Sequence, residues 1–228
     1  MQSLLTPFTA ISTTVGLFLV MRRVYRRYPF AFFHPMLTTT TLICIGLIIF
    51  GIPYADYMKG GKWIEQFLGP CVVALAYPLY NQRKIMMQYK NAILLGISTG
   101  LITAMGSIIF FAKLFKVEEE IIYTVIPKSI TTPVAIQISE TMGGIPSLTA
   151  IFVMIAGFSG IIVGPYVMKY TGIESRLGKG LALGSASHAL GVAKSTEYGE
   201  LALSMASVSM TISAIIGSLI GPLLVLFV

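Results

Sequence analysis

Lys128 is the side chain in this sequence best placed for chemistry. It lies in an apolar stretch, 121–139, between Pro127 and the hydroxyl run Ser129, Thr131 and Thr132, which Pro133 closes. An ammonium, several hydroxyls and a helix N-terminus freed after Pro133 together describe an anion site. A Lys at the centre of a membrane span costs about 2.5–3.5 kcal/mol on insertion scales, so such residues are seldom idle. The expected ligand group is a carboxylate, held by Lys128, Ser129, Thr131 and Thr132. The plainer alternative is a Lys that snorkels to the headgroups or pairs with Glu140.

A second segment, LALGSASHALGVAKSTE (181–197), combines Ser185, Ser187 and His188 with Gly184 and Gly191. Small residues let backbones approach closely, and the hydroxyls could complete a carboxylate site. His188, with an unperturbed pKa of about 6.5, is a candidate for a coupling proton, and Glu140 is a second one. A sodium ion is the other coupling ion considered. The alternative for His188 is a plain hydrogen bond across a helix contact. Lys194 and Glu197 read as an interfacial pair. A third segment, LGPCVVALAYPLYNQ (68–82), carries Pro70 and Pro78. Helix breaks at bilayer depth persist only where they are buried in protein or line a cavity. Pro70, Pro78, Pro127, Pro133, Gly184 and Gly191 are therefore the expected break and gating positions.

Other chemistry is not supported. HExxH, P-loop and GxGxxG patterns are missing, and Ser187 and His188 are helix neighbours that point about 100° apart, so no catalytic residue is expected and the chain does not read as an enzyme. Cys44 and Cys71 are the only cysteines, both in apolar segments, and no cluster has metal-ligand spacing. Neither a metal nor a cofactor is expected.

The elements that must hold these residues are membrane helices. Charged residues make up 11% of 228 residues and apolar ones 55%, with mean hydropathy +0.83, too few charges to cover a soluble globule. The net charge of +7 is assigned to loops facing the cytoplasm and anionic lipid rather than to nucleic acid. Residues 1–21 carry no charge and are followed by Arg22, Arg23, Arg26 and Arg27, the order of a first membrane helix rather than of a cleaved leader. Trp63, Tyr77 and Tyr80 fit an aromatic belt, with a cavity-facing position the alternative for the two tyrosines.

Charge-free stretches at 28–55, 91–112, 141–168 and 201–228 are long enough to span. Adding 1–21, the short stretches 66–82 and 180–193, and the interrupted 121–139 gives eight apolar segments. Leu68, Gly69, Ala74, Leu75 and Gly106 recur as Leu183, Gly184, Ala189, Leu190 and Gly221 at an offset of 115. This suggests a duplication, 1–112 and 113–228, within one membrane domain. The loop charges swap between the halves, which favours opposite orientation. If 121–140 dips in and returns, ten Lys and Arg lie inside against five outside, compared with eight and seven for eight plain spans. The expected architecture is all-α, with about seven to eight membrane segments, two inverted repeats with broken or re-entrant helices, and the N-terminus outside.

Four runs, YADYMKGGKWI (54–64), VVALAYPLYNQR (72–83), PKSITTPVAIQISETMGGIPSLTA (127–150) and KGLALGSASHALGVAKSTE (179–197), resemble the LrgB/CidB family of integral membrane proteins. MKGGKWI and the KS of PKSITTP are closer to its CidB-like branch. The resemblance implies an inner-membrane protein and two kinds of role. Bacterial members are described as modulators of murein hydrolase activity and autolysis beside a small holin-like partner of the LrgA/CidA type. Plastid relatives, which fuse both partners, exchange glycolate and glycerate, and bacterial relatives are linked to pyruvate, acetate and similar acids. Two readings follow: a secondary transporter of small carboxylates, or a non-transporting holin-associated regulator of autolysis. A dimer is the expected oligomer.

Overall fold

The computed structural model describes residues 7–28, 30, 33–74 and 76–227, apart from the side chains of Leu68, Cys71, Val72, Pro78 and Phe227. Helices and short turns account for the described residues, with no strand among them. They form two compact units, Met1–Cys71 and Val72–Val228.

In the first unit, α1 (Pro7–Arg27) packs against α2 (Pro35–Ile49) and α3 (Tyr54–Glu65). The arginines at the end of α1 complement the negative pole of the helix. Gly60 of α3 meets the Pro7 carbonyl and Ala10 so closely that a side chain there would collide with backbone. Four residues further along α1, Thr14 Oγ1 lies 2.9 Å from Tyr57 Oη. α1 and α3 are therefore antiparallel and in close contact. Pro35 opens α2, where its missing N–H leaves nothing unpaired. Trp63 is exposed, and Cys44 is an exposed free thiol. The side chain of Cys71, and Leu75 of the internal match, fall outside the described residues.

The short helix α4 (Leu68–Ala74) reaches the boundary between the units. The second unit then holds α5 (Ala76–Asn81), α6 (Arg83–Gln88), α7 (Lys90–Phe115), α8 (Glu119–Val125), α9 (Thr132–Met142), α10 (Pro146–Tyr170), α11 (Arg176–Ser195) and α12 (Glu200–Leu224). Pro70 and Pro78 fall early in α4 and α5. Each is the third residue of its helix, inside the first turn, where proline costs no hydrogen bond.

Among the described residues, α7, α10 and α12 are the helices long and apolar enough to cross a bilayer. Their outward faces carry Leu95, Ile102 and Phe110 on α7 and Ile151, Ile155 and Ile162 on α10, all exposed. A row of this kind belongs against lipid, not water. The inward face of α7 repeats every four residues, Ile93, Ile97, Leu101, Met105 and Ile109, which is one side of a helix. It packs with Ile122, Ile126, Ile130 and Ile138, and with Met205, Val208 and Ile212 of α12. α12 is the most enclosed of the three: Val208 to Ala214 are all buried.

Candidate functional site

Between α8 and α9 the chain tightens into a 3₁₀ turn, Ile126–Ser129, then extends through Ile130 and Thr131. Pro127 explains the break. It cannot donate the hydrogen bond that would continue α8, and it sits where the 3₁₀ turn begins. α9 starts at Thr132, one residue before Pro133, so the freed N-terminus precedes the proline rather than following it.

The segment doubles back. A Cβ on Gly144, just beyond α9, would lie 2.7 Å from the backbone nitrogen of Thr124, near the end of α8. Thr149 Oγ1 pins the base by bonding Ser139 Oγ at 2.7 Å and the Thr124 carbonyl at 2.9 Å, while Ile145 N–H donates to Thr124 Oγ1 at 2.8 Å. α8 and α9 are thus two arms of a hairpin whose tip is 126–131. It enters from, and returns to, the end of the bundle where α7 finishes.

α10 then runs to the far end, 25 residues or about 37 Å at 1.5 Å per residue. From there α11 makes the second hairpin. It breaks at His188, whose φ of 51° and ψ of −128° lie outside helical space and in a region L residues rarely occupy. The reversal is sharp enough for Gly191 to rest on the Leu183 carbonyl, a contact that residues eight apart on a straight helix cannot make. The returning arm brings the Tyr198 ring to 5.2 Å from Lys179 Nζ. Glycines seat the entering arm: Gly180 and Gly184 lie against the backbone of Ala202 and Ala206 on α12, and Gly157 and Gly160 of α10 receive Leu190 and Ser187.

The two hairpins therefore enter from opposite ends, and their tips meet. His188 lies against the backbone of Ser129 with Lys128 close by, and neither ring nitrogen closes a short hydrogen bond. Beside this junction is a cavity of 280 Å³ lined by Lys128 and Ser129 from the first tip and Ser185 and Ala186 from the second. Its remaining walls are Gly100, Leu101 and Ala104 of α7 and Ala156, Ser159 and Gly160 of α10.

Of the predicted residues, Lys128, Ser129 and Ser185 line this cavity. Thr131 is buried as the cap of α9 and Thr132 opens that helix; neither reaches the lining. Ser187 and His188 are buried at the second tip, and Gly184 and Gly191 serve helix contact. Pro127 is buried in the break, Pro70 is exposed on α4, and the side chain of Pro78 lies outside the described residues. Glu140 is exposed at the end of α9 and makes no ion pair with Lys128. The ion pairs among the described residues are Lys59–Asp56 at 2.7 Å and Lys194–Glu197 at 2.8 Å. Tyr77 and Tyr80 are exposed and do not line the cavity, and the Tyr80 ring lies 4.2 Å from the Arg83 guanidinium.

The walls from α7 and α10 were not foreseen. Their signal is a pair of small residues four apart, Gly100 with Ala104 and Ala156 with Gly160, each on one helix face. The tips also correspond in an unforeseen register. Lys128 and Ser129 match Ser185 and Ala186 at an offset of 57, with both pairs in the lining. The same offset carries α7 onto α10, and these two helices run in opposite directions. The 115-residue offset instead pairs α7 with α12, and these run the same way: Ile130 at the first tip meets Gly217, and Ile138 nearer its base meets Gly221.

Three apolar helices and two opposed, broken hairpins around a cavity define an α-helical membrane protein. The chain belongs to the LrgB-like family, whose pattern it matches over residues 14–227. It is 52% identical over 225 residues to the uncharacterized protein YxaC of Bacillus subtilis strain 168, covering 99% of this chain and 98% of that one. It is 36% identical over 216 residues to the holin-like protein CidB of Staphylococcus aureus strain Mu50, covering 95% and 94% of the two chains. The uncharacterized protein YwbG of B. subtilis is 33% identical over 214 residues. No solved structure matches the chain.

Proposed function

We propose that this protein is a secondary carrier of small carboxylates of the glycolate, glycerate, pyruvate or acetate type in the bacterial plasma membrane. The observation that carries the reading is Lys128. It is half-buried at a hairpin tip, lines a cavity with no carboxylate in its walls, and makes no ion pair among the described residues. An ammonium withdrawn from water without a counter-ion is costly, and a bound carboxylate offsets that cost.

The remaining geometry supports the same chemistry. α9 and the returning arm of α11 both begin at the tips, so two positive helix ends lie in the zone of the ammonium. Ser129 offers a hydroxyl. Ser185 Oγ, by contrast, donates to the Leu181 carbonyl at 2.8 Å and has no proton left for a carboxylate. A volume of 280 Å³ holds an acid of two or three carbons with water. In this reading the two hairpins are re-entrant, the opposed pair supplies the inverted symmetry of a carrier, and His188 is the candidate for proton coupling.

The names of the S. aureus relatives support a second reading, a holin-associated regulator of murein hydrolases that works with a small LrgA/CidA-type membrane protein. Counterflow of labelled acids into proteoliposomes separates the two. A carrier exchanges at least one of them, alone or with the small partner present. A regulator exchanges none under either condition.

A further inference from the structure

Two apolar grooves adjoin the central cavity. One, of 400 Å³, follows α7 and α8 from Lys128 past Phe111 and Ile121 to Phe115 and Val117. The other, of 380 Å³, follows α10 and the entering arm of α11 from Gly160 and Ala186 past Val163 to Met168 and Ile173. Lys128 belongs to the first groove and to the cavity, while Ser159, Gly160 and Ala186 belong to the second groove and to the cavity.

The grooves obey the same register as the tips. Ser107, Phe111 and Val125 in the first correspond to Gly164, Met168 and Ala182 in the second at the offset of 57. Because α7 and α10 run in opposite directions, the first groove leads to the end where α7 finishes and the second to the far end. The cavity that holds Lys128, Ser129, Ser159 and Ser185 thus lies between two apolar grooves that point opposite ways. Narrow apolar passages exclude water and ions when closed and admit them when widened.

We propose that the two grooves are the two gates of the cavity, each opening it to one face of the membrane. This rests on the carrier reading and adds the route. The polarity is unequal: an anion entering by the α7–α8 groove meets Lys128 at the inner end of the groove, whereas Ser185 occupies the equivalent position beside the other.

The test uses single cysteines in a Cys44→Ser, Cys71→Ser background, in oriented proteoliposomes of the full chain. Phe111→Cys reports the first groove and Val163→Cys the second; both side chains are exposed, and counterflow before labelling shows whether losing the Phe111 contacts with Phe110 and Phe115 matters. The probe is a membrane-impermeant anionic methanethiosulfonate applied from one face at a time. The expected result is modification of the two cysteines from opposite faces, with at least a tenfold loss of counterflow after each. Modification of both from the same face, or of neither, overturns the gates. Counterflow before labelling judges the carrier reading separately: if it is normal while the labelling pattern fails, the carrier stands and the gates fall, and if it is missing both with and without the small partner, both fall.

Discussion

The imidazole of His188, at the break of α11, lies against the backbone of Ser129, at the tip of the other hairpin. The two elements enter the second unit from opposite ends, and this is where they touch. His188 is 3% exposed and holds a backbone conformation that favours glycine, so the fold maintains the junction against local strain.

That strain can be measured. Glycine adopts the φ of His188 freely and alanine does not, although both remove the same ring. His188→Gly should therefore be more stable than His188→Ala by about 1 kcal/mol, read as a higher Tm in detergent. The reverse order would mean that α11 is continuous.

The reversal of α11 predicts where an added methyl is damaging. Gly191→Ala and Gly184→Ala drive a Cβ into the backbone of Leu183 and Ala206 and should each cost about 2 kcal/mol or more. Gly96→Ala, on an open face of α7, should stabilise by about 0.5–1 kcal/mol through helix propensity. Thermal unfolding of the three variants reads both directions. Equal tolerance at all three would remove the close contacts.

The base of the first hairpin depends on one hydroxyl. Thr149→Val leaves the buried Ser139 hydroxyl and the Thr124 carbonyl without that partner, at about 1–3 kcal/mol. Amide exchange in 119–142 should quicken while α12 stays protected. Uniform quickening would make the hairpin part of the global core.

Within the cavity, Ser129→Ala removes one hydroxyl and no charge. One neutral hydrogen bond is worth about 0.5–1.5 kcal/mol, so the half-saturating acid concentration should rise about 2- to 13-fold with stability unchanged. An unchanged value would place the carboxylate away from the first tip.

Much of this site is legible in the sequence because its chemistry is expensive. A Lys between prolines in an apolar segment and a Gly/Ser/Ala run around a His mark both tips by residue type alone. The opposing walls are not marked, because Gly100, Ala104, Ala156 and Gly160 look like ordinary packing residues until the tips are brought beside them. The correspondence between the two tips is hidden for a similar reason. At the offset of 57 it equates Lys128 with Ser185 and Ser129 with Ala186, a match of position without identity, whereas the Leu, Gly and Ala identities lie at 115. The first-turn placement of Pro70 and Pro78 was also hidden, because a proline that opens a short helix and one that breaks a long helix read alike.

In a carrier of this design the Lys128 ammonium holds the substrate carboxylate. Counterflow of labelled glycolate, glycerate, pyruvate, lactate and acetate, with wild type and Lys128→Gln compared at equal reconstituted amounts, tests it most directly. The wild type should exchange at least one acid, alone or with the small partner present, and the variant should lose at least tenfold, with Tm unchanged or raised. Undiminished exchange by Lys128→Gln would contradict it.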